Sequence, residues 1–94
     1  MGQAEKQRSV LRIKLDILNV VKEEGDAKPT HILYRANLSH DRLVKYLDEL
    51  AGKGLIEMRQ DGESKTYRLT PKGVGFLIEM MRAESFVQGF GLAI

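Results

Sequence analysis

The stretch Lys28-Pro-Thr-His-Ile-Leu-Tyr-Arg-Ala-Asn-Leu-Ser-His-Asp-Arg-Leu-Val-Lys-Tyr-Leu-Asp-Glu-Leu-Ala51 decides the architecture. Lys28 to Ala36 reads as a short helix, with Pro29 in the first turn, where a missing N–H costs nothing. Asn37-Leu38-Ser39 forms a tight connection: Asn37 tolerates a left-handed backbone, and Ser39 caps the next helix. That helix runs from about His40 to Ala51, with Leu43, Leu47 and Leu50 as its core stripe, and Gly52-Lys53-Gly54 ends it. Two short helices therefore meet across a tight turn.

Upstream, Arg8 to Glu24 reads as a first helix stopped by Gly25. It carries two apolar stripes, Leu11, Leu15, Leu18 and Val21 beside Val10, Ile13, Ile17 and Val20, with only Arg12, Asp16, Asn19 and Glu23 as a polar strip. A helix this widely apolar has to be covered on more than one side. Downstream, Leu55 to Gln60 and Lys65 to Leu69 are strand-like and flank Asp61-Gly62-Glu63-Ser64, where Asp-Gly is a strong hairpin signal. A loop of two residues and a loop of four both set Ile56, Met58, Tyr67 and Leu69 on one face, because the two registers differ by an even number. Glu57, Arg59, Thr66 and Arg68 then face outward.

Thr70-Pro71 opens a last helix, as cap and first-turn residue, that reaches about Gln88. It too has two stripes, Val74, Leu77, Ile78 and Met81, then Phe76, Met80, Ala83 and Val87. The simplest division assigns one stripe to the core and the second, Phe76 to Val87, to a two-fold interface, since a bare apolar stripe is rarely left on a monomer. Gly73 and Gly75 weaken the first turns of this helix and permit close packing against a neighbour. Phe90-Gly-Leu-Ala-Ile94 is an apolar tail without an assigned element.

Helix, helix, turn, helix, hairpin, helix is the order of a winged helix-turn-helix, mainly α with a small β-hairpin. Thr30-His-Ile-Leu-Tyr-Arg-Ala-Asn-Leu-Ser-His40, Leu43 to Leu47, Lys53-Gly-Leu-Ile-Glu57 and Tyr67-Arg-Leu-Thr-Pro-Lys-Gly73 together resemble small archaeal winged-helix DNA-binding proteins. The resemblance covers about Leu11 to Leu77. It implies a homodimeric transcription regulator or chromatin-associated protein that binds double-stranded DNA and pairs through its C-terminal helix. The chain divides accordingly into a flexible segment 1–7, a winged helix-turn-helix domain 8–70, and a dimerisation helix and tail 71–94.

The resemblance places the helix after the turn in the major groove, with its N-terminal part on base edges. Ser39, His40, Asp41, Arg42, Lys45 and Tyr46 are its candidate contacts. Arg42 suits a guanine edge and Ser39 a phosphate or base edge. A solvated amphipathic face gives the same residue pattern, and Asp41, Asp48 and Glu49 on it repel phosphate. Arg59, Lys65 and Arg68 are candidate wing contacts, although charge on an exposed strand edge also serves solubility, and a Glu57–Arg68 cross-strand pair leaves less of Arg68 for DNA. Lys28, Thr30 and His31 lie at the start of the preceding helix, where free N–H groups and the dipole favour phosphate.

The bulk numbers fit this reading without deciding it. The chain has 94 residues, enough for one small domain, and 15 Lys+Arg against 13 Asp+Glu, a net charge of only +2. With no cysteine and two histidines, neither a disulfide framework nor a structural metal site is expected. Ser39-His40-Asp41 contains triad residue types, but neighbours on one turn of helix point apart. Gly73-Val-Gly75 lacks the third glycine of a dinucleotide loop. No enzyme activity and no cofactor are expected. No signal peptide or membrane-spanning run is legible, so a cytoplasmic protein is the expectation, nucleoid-associated as the resemblance implies. Two other readings stay open: a protein-interaction adaptor without DNA readout, and a sensor of an apolar ligand at the dimer interface.

Overall fold

A computed structural model describes residues 8–92; the segment 1–7, read as flexible from the sequence, and the last two residues of the apolar tail lie outside this range. Helix α1 (Val10–Glu24) starts where the Ser9 hydroxyl accepts the Arg12 N–H at 3.0 Å, and it ends at Gly25, whose φ of +82° closes the last turn. Helix α2 (Pro29–Ala36) stops at Asn37, the only non-glycine residue with positive φ among the described residues. Helix α3 (His40–Gly52) is capped by Ser39, as its position predicts. Arg8 adds a tie that the sequence does not announce. Its guanidinium donates to the carbonyls of Ala36 (2.7 Å) and Asn37 (3.2 Å) and pairs with Asp16 at 2.6 Å, which holds the turn against α1.

Strands β1 (Ile56–Asp61) and β2 (Ser64–Leu69) pair antiparallel with Asp61 opposite Ser64. The loop is thus the two-residue one, with Gly62 at φ +63° in its first position, where a type II′ turn wants glycine. Ala27 and Tyr67 exchange both main-chain hydrogen bonds, at 2.8 and 2.9 Å. That bridge ties the α1–α2 connection to the root of the hairpin. Ile56 and Tyr67 are buried as the alternation predicts, whereas Met58 is 45% exposed. The body covers the β2 side of the inner face as far out as Tyr67 but leaves its register partner Met58 on β1 uncovered.

Helix α4 (Pro71–Gln88) is capped by the Thr70 hydroxyl, which accepts the Gly73 N–H at 3.0 Å. The core is built from α1, the inner faces of α2 and α3, and the hairpin root, with Ile17, Leu18, Val21 and Ile32 fully enclosed. The inner stripe of α4 runs Gly73, Leu77, Met80, Glu84 and Val87, at alternating steps of four and three, with Phe76 beside it. This corrects the stripe division read from the sequence. Phe76 and Met80, expected at a subunit interface, pack on the core, while Val74, Ile78 and Met81 face outward with Phe86. The helix is rotated this way because Gly73 lies against the Leu55 carbonyl and Glu84 reaches back to Arg12 on α1. No described helix is long and apolar enough to cross a membrane.

Candidate nucleic-acid interface

Burying Leu43, Tyr46, Leu47 and Leu50 turns the opposite side of α3 to solvent. His40, Asp41, Arg42, Val44, Lys45 and Asp48 are exposed there. Tyr46 is 4% exposed and belongs to the core, which corrects its place among the groove candidates. It sits on the α1 side of the helix, and its ring lies 5.8 Å from the ammonium groups of both Lys14 and Lys45. Glu49 is drawn away from the exposed face by Lys14, whose hydrogen bond holds the carboxyl below its ordinary value.

Ser39 spends its hydroxyl on the cap, accepting the Arg42 N–H at 3.4 Å, and remains exposed. Among the described residues, no ion pair engages Arg42, Lys45, Arg59 or Lys65. Asp41 has only the His40 imidazole near it, at 4.0 Å. Two cations thus stand beside Asp41 and Asp48 on one helical face. A balanced face gains little from phosphate in general, and its value lies in directional contacts.

The wing divides by strand parity. Lys65 shares the inner face of β2 with Tyr67, and both line a groove of about 300 Å³ with Pro29, His40, Val44 and Asp48. The start of α2, the outward side of α3 and one wing cation therefore form one continuous surface. Arg59 and Arg68 lie on the other face, in a recess of about 490 Å³ that they share with Asp26 and Thr66. Glu57 and Arg68 are register partners, yet the Arg68 guanidinium turns to Asp26 instead, Nε to Oδ1 at 3.0 Å and Nη2 to Oδ2 at 3.2 Å. The Arg68 hydrogen bond holds the Asp26 carboxyl below its ordinary value, and Asp26 raises Arg68 in return. Asp26 precedes Arg68 by 42 residues, so only the Ala27–Tyr67 bridge reveals their proximity.

At the start of α2, Lys28 and Thr30 are exposed, and Lys28 contributes no side-chain cap. His31 is committed elsewhere: its Nδ1 lies 2.9 Å from Glu24 Oε1. Arg35 bonds both Glu23 and Glu24, and with His31 it keeps the Glu24 carboxyl below its ordinary value, His31 being the larger cause.

A winged helix-turn-helix family matches residues 7–87, from α1 through the hairpin to the end of α4. The chain belongs to that family. A comparison with curated proteins finds no match. Among solved structures, this winged helix-turn-helix chain is similar to Sso10a-2, a DNA-binding protein from Sulfolobus solfataricus: 24% identity, 88% of this chain and 85% of that one, TM-score 0.76. RosR from H. salinarum is 26% identical over 80% of this chain and 74% of its own, with a TM-score of 0.69. BpsR from Bordetella bronchiseptica, whose DNA binding is regulated by 6-hydroxynicotinic acid, is 17% identical over 82% of this chain, with a TM-score of 0.72. The chain spans only 61% of BpsR, and the likeness there is one of fold.

Proposed function

We propose that this protein binds double-stranded DNA as a homodimer and acts as a transcription regulator or chromatin-associated protein, without catalysis. The observation that carries the reading is the continuous surface of α2 start, α3 and wing, on which Arg42, Lys45 and Lys65 stand without an ion-pair partner among the described residues. A helix presented this way enters the major groove, with Arg42 on base edges and Ser39, Lys28 and Thr30 near phosphate. Lys65 and Arg59 follow the backbone on either side of the wing.

Pairing is assigned to the outward face of α4. Ile78, Met81 and Phe86 form an apolar groove of about 570 Å³ with Arg82 and Ser85. Met81 and Phe86 are 60% and 69% exposed, more than a solitary subunit ordinarily tolerates side by side. Two linked recognition helices also raise the effective concentration for paired half-sites, which a chain of net charge +2 needs at physiological salt. The deciding experiment is a mobility shift on random duplex across a salt series, followed by selection of bound sequences from a random pool. Absence of a salt-dependent shift at any concentration would sink the reading and favour an adaptor role.

A further inference from the structure

Among the described residues, Arg68 is the one wing cation with a carboxylate in its fork, and that carboxylate comes from outside the wing. We infer that Asp26 is a built-in competitor for phosphate, which withholds Arg68 from DNA and thereby sets the affinity of the wing. The inference rests on the DNA-binding reading proposed for α3 and the wing.

Three observations carry it. The pairing is two-pronged, at 3.0 and 3.2 Å, the geometry with which a guanidinium also takes a phosphate. The recess around it already has the parts of a phosphate site: Arg59, Arg68 and the Thr66 side chain line it, and Asp26 supplies the anion. Both partners are half-exposed, with side chains 40% and 51% accessible, so the pair is open to exchange with an incoming oxyanion and contributes little to stability. The wing already has its anchor in the Ala27–Tyr67 main-chain bridge, which needs no side chain from Asp26. Glu57, the register partner of Arg68, adds a second negative charge on the same face, and Asp61 a third near the tip. Three carboxylates against two guanidinium groups leave Arg68 unable to take a phosphate until Asp26 is displaced, while Arg59, without an ion-pair partner among the described residues, stays available. Non-specific binding is thereby kept weak, and a well-formed protein–DNA contact elsewhere has to supply the energy that opens the pair.

The alternative is that Asp26 merely braces Arg68 in the right direction. The two ideas predict opposite signs. Removing the competitor, with Asp26→Asn, frees one cation per bound subunit. Affinity for random duplex should rise about three- to tenfold at low salt, and the slope of log K against log salt should steepen by about one per subunit. Arg68→Ala alone leaves Asp26 bare beside the backbone and should weaken binding. The double variant removes both charges together and should bind nearly as the wild type does. A brace would make Asp26→Asn weaker and would leave the double variant no better than Arg68→Ala. Should Asp26→Asn fold poorly in a thermal melt, Asp26→Ser carries the same expectation. Wild-type binding that is unchanged or weakened by Asp26→Asn overturns the competitor and leaves DNA binding intact. No shift by any of the four proteins overturns DNA binding, and the competitor with it.

Discussion

Gly73 rests directly on the main-chain carbonyl of Leu55: a methyl group on its Cα would lie 2.1 Å from that oxygen. The first turn of α4 therefore presses on the entry to β1, and this contact sets the rotation of the whole helix. Backbone cannot give way as a flexible side chain can. Gly73→Ala should destabilise the domain by about 1–3 kcal/mol, the usual cost of overpacking. Gly75 is the natural control, since a Cβ there meets nothing within 4 Å. In an exposed helical position Gly75→Ala should instead stabilise, by up to about 1 kcal/mol. Thermal or urea denaturation of the two variants reads both signs; equal effects would show that the contact does not constrain α4.

The same contact explains what was legible in the sequence and what was not. Caps and turns were readable because their chemistry is local: Ser39 and Thr70 cap, Asn37 turns left-handed, and Gly62 closes the hairpin, whereas the first helix, read from Arg8, starts at Val10 with Ser9 as its cap. The face of α4 was not, because Val74, Ile78 and Met81 are as apolar as Phe76 and Met80. Apolarity alone does not say which stripe is inside. Gly73 and Glu84 on the same stripe were the available signals, a close approach and a carboxylate that meets Arg12. Tyr46 was ambiguous for a similar reason, lying at the edge of the Leu43–Leu47–Leu50 stripe. The Asp26–Arg68 pair depends on tertiary bridging between distant segments, which no local pattern encodes.

The corrected rotation changes which substitution should break a dimer. Met81→Asp and Ile78→Asp place a charge on the outward groove and should yield a folded monomer. Met80→Asp puts the charge against the core and should unfold the domain, at a cost of several kcal/mol by burial of an unpaired carboxylate. Sedimentation velocity separates the species, and circular dichroism reports the fold. A wild-type chain that stays monomeric at micromolar concentration would remove the interface, and with it the expectation that the Met81→Asp monomer loses measurable DNA binding.

Three carboxyls titrate below their ordinary values in the folded state: Glu24 beside His31 and Arg35, Asp26 beside Arg68, and Glu49 beside Lys14. Their unfolded references are 4.5, 3.8 and 4.5. A depressed folded pKa means that the unfolded chain binds protons first as pH falls. The stabilisation is therefore fully present above those references and is lost as pH drops through the lower folded values. Unfolding midpoints should hold steady down to about pH 5 and fall progressively as pH drops below it. All three groups are surface groups, so the loss is modest and is screened by salt. Replacing Glu24, Asp26 and Glu49 by their amides should flatten the acid limb. An unchanged limb in that variant would assign the acid sensitivity to other groups.

Arg42 and Arg59 should fail differently when removed. Arg42 projects from α3 opposite Leu43, Leu47 and Leu50, on a face where Asp41 and Asp48 offset the cations. Attraction to phosphate is therefore weak there, and any contact that Arg42 makes gains by being directional. Arg42→Ala should cost about 1–3 kcal/mol on the preferred site and relax the preference at one position. Arg59 lies on the outer wing face, away from the groove that Lys65 shares with α3. On the proposed function its partner is the DNA backbone, so Arg59→Ala should weaken preferred and random duplexes alike and reduce the salt slope by about one per subunit. Lys45 stands between these cases because its ammonium also lies over the Tyr46 ring. None of the three side chains is buried, and each variant should keep the wild-type melting behaviour within about 0.5 kcal/mol. Titrations of each variant against both duplexes over a salt series test the division. If Arg42→Ala and Arg59→Ala both bind as the wild type does, α3 and the wing are not the surface that meets DNA, and the outward face of α4 becomes the place to look for a protein partner.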